Sequence, residues 1–374
     1  MKCPSSIDIF CSVVDNFGDI GVCWRLSRQM ACEHRLKTRL FVDDMSAFRA
    51  IVPEPNSSVE VVEWRENLFY AEAADIVIEA FACDLPDHVV AAMVIHQSVW
   101  IDLEYLSAEE WTAGCHAIPS LHPSTGLKKT LFFPGFDTRT GGLICENDLI
   151  SRRNAFLNDK NAQNQWRKDH FIPEIDENCL DISLFCYHTA PIDEFFAALA
   201  TLNRRVRVFQ FSRMDKVPVV TNGLLEIYNI PFVSQYDFDY ALWTMDMNFV
   251  RGEDSFVRAQ FAGKPFVWNI YVQDEDVHLD KLDAFLSTIK PFYDGEAFER
   301  LANLHDLWNE GARNKAKDQK EHKGHAWQEC LQSLDGFGLG ARKWAEYLVQ
   351  QTDLATRLLT FARTQITENK GRIE

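Results

Sequence analysis

The ten cysteines of this 374-residue chain include no Cys-x-x-Cys pair. They are scattered, and most sit in apolar runs (Cys11, Cys23, Cys83, Cys186), which predicts reduced core thiols and a reducing compartment. No apolar run approaches the ~20 residues that a membrane helix needs. The start, MKCPSSIDIF, lacks the apolar core of a signal segment, so the expected setting is the cytoplasm. Basic charge is also short: Lys+Arg 38 against Asp+Glu 55 leaves a net −17. That balance argues against general nucleic-acid binding, which runs on Lys and Arg, and suits a cationic substrate group approaching an acidic cleft. Internal repeats and low-complexity tracts are absent as well.

What is present is length and apolar content. Single cores seldom grow past roughly 250–300 residues, so 374 residues predict two domains. Hydrophobic residues make up 47%, enough for a core in each. The first half alternates strand-like runs (Ile7–Val14, Arg39–Val42, Val59–Val62, Asp75–Ile78, Val99–Leu103) with amphipathic stretches. In the first of these, Val22, Cys23, Leu26 and Met30 share a helical face. A polar stretch beginning at Ser151 reads as a helix, followed by a Pro-bearing linker around Pro173–Asn178, where the boundary is expected. The second half starts again with the strand LDISLFCYH and continues with Arg205–Phe211, Leu224–Tyr228, Asp246–Val250 and Pro265–Ile270. The charged segment GARNKAKDQKEHKGH reads as a solvated loop or helix face, and two helices close the chain near Ala341–Gln350 and Asp353–Thr364. The fold class is therefore α/β, with two halves built on parallel sheets and ligands expected at the carboxyl ends of the strands.

Two strand–turn–helix units stand out. In VVDNFGDIGVCWRLSRQM (Val13–Met30) the turn matches neither G-x-G-x-x-G nor the P-loop, and it carries two aspartates, Asp15 and Asp19, around Asn16, Phe17 and Gly18. Carboxylates repel a diphosphate, so this turn faces the other reactant, where a carboxylate can act as general base. The alternative is that Asp15 caps the turn and Asp19 the following helix. In DMNFVRGEDSFVRAQFAGKPFVWNIY the strand ends at Val250, and the turn 251–255 leads into a helix expected from Phe256 to about Ala262. A helix N-terminus attracts anions. Arg251 can neutralise a phosphate, Ser255 can cap or donate to one, and Glu253 and Asp254 can accept from sugar hydroxyls. The alternative is an ordinary N-cap formed by Asp254 or Ser255. Phe185 and Tyr187 end one strand, and PFVSQYDFDY carries Phe232, Gln235, Tyr236 and Phe238 in a loop-like setting. Together they read as a base-stacking pocket, with Gln235 able to read a pyrimidine edge, although such aromatics singly are more often core. Asp15 and Asp19 lack a third metal ligand nearby. The stretch QDEDVH (Gln273–His278) can supply one only weakly, and His116 and His122 have no clear partners.

DNFGDIGVCWRLSRQM, IEAFACDLP, WIDLEYLSAEEW, FFPGFDTRTGGLICE and RGEDSFVRAQFAGKPFVWNIY together resemble the elongation factor P arginine rhamnosyltransferase family, over nearly the whole chain. The resemblance implies a GT-B glycosyltransferase: two Rossmann-like domains facing across a cleft, residues 1–172 on the acceptor side and 178–351 on the nucleotide-sugar side, with the closing segment 352–374 returning to the first. It implies a dTDP-β-L-rhamnose donor, an arginine of elongation factor P as acceptor, inversion at the anomeric carbon and no metal cofactor. Asp19 then matches the general base and Asp15 the second acid of the same turn. Phe185, Tyr187, Phe232, Gln235 and Phe238 match the thymine and deoxyribose pocket. Arg251, Glu253, Asp254 and Ser255 match the diphosphate and sugar-hydroxyl segment. Two competing readings are a GT-B transferase with another acceptor and a nucleotide-binding regulatory module without turnover; the two-aspartate turn disfavours the latter, since a pure binder has no need of it.

Overall fold

The structure is a computed structural model that describes residues 3–14, 17–53, 58–65, 67–212, 219–309, 326–331 and 334–371. The chain divides into two compact units, Met1–Asn147 with Gln350–Glu374, and Asp148–Val349.

The first unit carries β1 (Ser6–Cys11), β2 (Lys37–Val42), β3 (Val59–Glu63), β4 (Ile76–Ala80), β5 (Val99–Leu103), β6 (Pro119–Leu121) and β7 (Lys128–Phe132) in the order β3-β2-β1-β4-β5-β7-β6. All pairings are parallel except that of β6 with β7. β1 reads as a mostly apolar run because it lies mid-sheet, where Ile7, Ile9, Phe10 and Cys11 are all buried and the one charge among them, Asp8, is paired with Arg39 on β2. Helix Gly18–Cys32 buries Val22, Cys23, Leu26 and Met30, the face that its spacing predicts. The closing helix Leu354–Gly371 belongs to this unit: Leu354 N donates to Leu143 O at 2.8 Å, and Arg357 Nη1 donates to Asp137 O at 2.7 Å. Gly142, at φ 77°, lies so close that an added Cβ would meet Thr352 O at 2.6 Å.

The second unit carries β8 (Cys179–Leu184), β9 (Arg205–Ser212), β10 (Val219–Asn222), β11 (Leu225–Pro231), β12 (Met247–Arg251) and β13 (Phe266–Asn269) in the order β10-β11-β9-β8-β12-β13, parallel apart from β10 against β11. The polar stretch after Asn147 forms two helices, Leu149–Leu157 and Lys160–Asp169, and both fall in this unit. The division therefore lies well before Pro173–Asn178. The reason is packing: Phe156 meets Tyr240 edge-on at 4.8 Å, and buried Arg167 reaches Asp181 on β8 at 2.5 Å. Arg207 pairs with the same carboxylate through Nε at 2.7 Å.

Three strands were not visible in the sequence. β7 reads KKTLF, and its charge hides it, because Lys129 bridges two buried carboxylates, Glu79 at 3.3 Å and Asp102 at 2.8 Å. β6 and β10 are short edge strands. β1 ends at Cys11 rather than Val14. The segment GARNKAKDQKEHKGH lies outside the described residues. Among the described residues, no helix is long and apolar enough to cross a membrane. All ten cysteines are free thiols.

Candidate active site

In the first unit the chain leaves β1 at its carboxyl end and enters helix Gly18–Cys32 with Asp19 as the second helical residue. Asp19 is 2% exposed, and its Oδ2 accepts a hydrogen bond from Val14 N at 2.8 Å. The carboxylate thus reaches back to the strand end. The N-cap is Phe17, without any side-chain capping bond, so Asp19 is not the helix cap. Gly18 opens the helix, and both Phe17 and Gly18 are half-buried. Asp15 and Asn16 lie outside the described residues.

A second carboxylate reaches this edge that was not read from the sequence. Asp43 follows β2, and its Oδ1 accepts from Val13 N at 2.9 Å. Two consecutive amides, those of Val13 and Val14, are therefore pinned by carboxylates from different elements. Their charge is felt nearby: the Cys11 thiol is pushed well above its ordinary value by its hydrogen bond with Cys23, by burial, and further by Asp19 and Asp43. The only sequence signal for Asp43 is an aspartate placed directly after an apolar strand.

In the second unit three strand ends meet. Phe185 and Tyr187 lie just past β8, Phe232 just past β11, and Arg251 is the last residue of β12. The Arg251 guanidinium carbon sits 4.5 Å from the Phe185 ring centroid and 4.6 Å from that of Tyr187, within cation–π reach of both. Phe185 also meets Phe232 at 6.0 Å and Phe238 at 5.4 Å. Gln235 and Phe238 stand in a helix, Gln235–Thr244, and not in a loop. Ser234 caps that helix by accepting from Asp237 N, which aims its first turn at the aromatic group. Gln235 is buried, and its Nε2 donates to Asp254 Oδ2 at 2.8 Å, tying the aromatic side to the anion side.

The helix after Arg251 starts at Glu253, three residues earlier than its sequence suggests. Glu253, Asp254 and Ser255 are its first turn. The N-cap is Gly252, not Asp254 or Ser255, and no side chain caps it. The dipoles of the first-turn peptides point where an anion would bind. Gly252 has φ 64° and ψ −176°, a conformation essentially restricted to glycine. Gly252→Ala is expected to lower folding stability by about 1–3 kcal/mol, read by denaturant unfolding. An unchanged midpoint would show that the turn tolerates a Cβ.

Asn269, the last residue of β13, was also missed. Its Oδ1 accepts from Tyr187 N at 2.8 Å, and its Nδ2 donates to Asn309 Oδ1 at 3.3 Å. This buried amide pair sets the two loops that carry Tyr187 and Tyr271, whose rings meet at 5.6 Å. Of the histidines weighed as ligands, His116 Nδ1 accepts from Phe133 N, and His122 Nδ1 pairs with Thr125 Oγ1. In the Gln273–His278 stretch, His278 Nδ1 accepts from Gln273 N at 3.2 Å. Among the described residues, no three His, Cys, Asp or Glu side chains gather as a metal-binding group.

Residues 7–363 match the family pattern described as "Elongation-Factor P (EF-P) rhamnosyltransferase EarP". A protein-arginine rhamnosyltransferase of Pseudomonas putida is 40% identical over 383 residues, covering 96% of this chain and 99% of that one. One from Shewanella oneidensis is 34% identical over 391 residues, covering 95% and 97%. Among solved structures, one described as the structural basis for EarP-mediated arginine glycosylation of translation elongation factor EF-P matches with TM-score 0.67 and 31% identity, covering 96% of this chain and 98% of the other. The spinosyn rhamnosyltransferase SpnG complexed with thymidine diphosphate matches in fold alone, with TM-score 0.51 and 9% identity over 95% and 99% of the two chains. These neighbours are GT-B glycosyltransferases, and this chain has the same fold class.

Proposed function

The chain belongs to the elongation factor P arginine rhamnosyltransferase family, and from that premise we propose that it moves L-rhamnose from dTDP-β-L-rhamnose to one arginine of translation elongation factor P, in the cytoplasm, with inversion at the anomeric carbon. One observation carries the reading: one strand–turn–helix site offers a buried carboxylate, and the other offers a guanidinium at its strand end beside a helix N-terminus. The first unit presents Asp19, which suits a cationic acceptor. The second presents Arg251 and a helix N-terminus beside aromatic rings, which suits a nucleoside diphosphate.

The acceptor sets the chemical problem. A guanidinium is protonated at any ordinary pH, with pKa above ~12, and its nitrogen lone pairs are delocalised. A carboxylate near pKa ~3.9 does not deprotonate it in the ground state. It holds the cation and aims one nitrogen at the anomeric carbon. As the C–N bond forms and the bond from the anomeric carbon to the diphosphate oxygen breaks, the electron pair leaves with the diphosphate. The attacking nitrogen becomes acidic, and its proton passes to Asp19. Asp15 is assigned to the cation's other end. The leaving group needs positive potential rather than a proton, and Arg251 with the Glu253, Asp254 and Ser255 amides supplies it. The proposal includes no metal ion. Glu253 and Asp254 carboxylates are assigned to sugar hydroxyls, and Phe185, Tyr187, Phe232, Gln235 and Phe238 to the thymine and deoxyribose.

The deciding experiment incubates the purified chain with dTDP-β-L-rhamnose and elongation factor P. The expected result is a gain of one deoxyhexosyl mass on the acceptor, lost when the acceptor arginine is replaced by lysine, with an α-linked product by NMR. No gain, or a gain that survives the lysine replacement, overturns the reading. On the donor side, Phe185→Ala is expected to weaken dTDP binding by about 1–3 kcal/mol in titration calorimetry, the usual loss for one stacked base. Unchanged affinity would remove Phe185 from the base site.

A further inference from the structure

Two segments that carry the family resemblance, IEAFACDLP and WIDLEYLSAEEW, have no part in the chemistry above. They begin within β4 and β5 of the first unit and run into the loops that leave those strands. Cys11, Ala80 and Leu103 stand in register as the last residues of β1, β4 and β5. Parallel neighbours lie ~4.8 Å apart, so the loop after β4 leaves the sheet beside the turn that follows β1, and the loop after β5 leaves one strand further along the same edge.

The loop after β4 is strained. Among the described residues, nine other than glycine have positive φ, and three of them, Phe81, Ala82 and Asp84, fall within four consecutive positions. Such conformations are uncommon outside glycine and are worth explaining where they cluster. Three contacts hold the loop in this shape. Phe81 N donates to Leu103 O at 2.7 Å. Cys83 Sγ contacts Phe10 O at 3.5 Å. The Phe81 ring stacks on Tyr105, with centroids 4.4 Å apart and planes 17° from parallel. The stack is not core packing, because Phe81 is half-buried and Tyr105 is 37% exposed.

One or two residues back along the same strands, Glu79 and Asp102 are buried and share Lys129. With both carboxylates ionised the trio has one net negative charge. Asp102 Oδ1 is buried with no hydrogen-bond partner. The loop ends thus combine aromatic faces with negative potential, and a planar cation is the group that both attract.

We propose that Phe81 and Tyr105 form an aromatic platform that positions the side chain of the acceptor arginine beside the Asp19 turn; this rests on the acceptor reading given above. The strain in the loop serves to hold the Phe81 ring flat against Tyr105 instead of letting it fold into the sheet. The platform orients the guanidinium and takes no proton.

The test measures rhamnose transfer to elongation factor P with Tyr105→Leu, Phe81→Leu, Tyr105→Phe and Phe81→Tyr, alongside dTDP affinity and thermal unfolding. Each leucine variant is expected to raise KM for the protein acceptor about tenfold, within the range of a lost cation–π contact. The variants that keep a ring return KM to near the wild-type value, and dTDP affinity is unchanged in all four. A merely bracing stack would show instead as a lowered unfolding temperature with KM unmoved. Acceptor KM within about twofold of wild type in Tyr105→Leu overturns the platform, since the cation–π range predicts more. So does an equal rise in the ring-keeping variants. If Phe81→Leu fails to fold, Tyr105→Leu decides alone, because its ring is the more open to solvent. Failure of the wild-type chain to modify arginine overturns the acceptor reading itself and is seen separately.

Discussion

Asp19→Asn is expected to lower the rate of rhamnose transfer to elongation factor P by roughly 10²–10⁴-fold, the usual contribution of a positioned general base. The substitution is nearly isosteric. An asparagine Oδ1 still accepts from Val14 N, so the turn keeps its shape and only the charge and the proton acceptor are lost. The dTDP affinity should therefore hold, since the aromatic group, Arg251 and the Gly252 turn all belong to the second unit. That separation makes the result interpretable: a fall in transfer with intact nucleotide binding isolates the acceptor chemistry. Single-turnover transfer with calorimetric dTDP titration measures both. Transfer within a few-fold of wild type would remove Asp19 as the base.

Asp239→Leu is expected to cost about 3–5 kcal/mol of stability, because it strands a buried arginine. Asp239 stands on helix Gln235–Thr244 and Arg258 on helix Glu253–Ala262. Their side chains are each 1% exposed and pair through two hydrogen bonds, Nε to Oδ1 at 2.9 Å and Nη2 to Oδ2 at 2.7 Å. Arg152 adds a third charge at 3.7 Å from the same oxygen. The pair clamps the helix that carries Gln235 and Phe238 to the helix that carries Glu253, Asp254 and Ser255, so dTDP binding should weaken together with stability. Calorimetric unfolding with and without dTDP measures this, since a ligand raises the transition of the unit that binds it. Asp239→Leu combined with Arg258→Met should recover part of the loss, because the charge of Arg258 is then gone and Arg152, which also loses Asp239, keeps Asp148 at 3.7 Å. A loss under about 1 kcal/mol in the single variant would show that water or another partner compensates Arg258.

The strands of both sheets were legible wherever burial on two faces makes the run mostly apolar, as in β1, β5 and β12, even with one buried polar residue inside each (Asp8, Asp102 and Asn248). β7 was illegible because it is short and opens on two lysines. Lys129 makes β7 look like surface, although it sits between Glu79 and Asp102. The same blindness misplaced the division of the chain. The stretch after Asn147 reads as a polar helix that could close the first half, yet Arg167 within it is fully buried against Asp181 of the second. A charge in a sequence carries no sign of whether it has a partner.

The candidate site shows the same limit. Its two turns could be found because each joins an apolar strand to a helical pattern, and their charges could be read directly. Asp43 and Asn269 could not be found, since each acts through a backbone amide distant in sequence, at Val13 and Tyr187 respectively.

What the sequence determined by itself is the chemistry on offer: two α/β units, one turn bearing carboxylates, one bearing Arg251 before a helix, and aromatics nearby. These follow from local composition and periodicity, which are properties of neighbouring residues. Only the tertiary structure decided how that chemistry is held. Asp19 turns back to Val14 instead of capping its helix, Gly252 starts the second helix early enough to place Glu253, Asp254 and Ser255 in its first turn, and Arg251 lies against Phe185 and Tyr187. The last joins strand ends separated by tens of residues, and the first two turn on backbone geometry within a few residues that composition and periodicity do not encode.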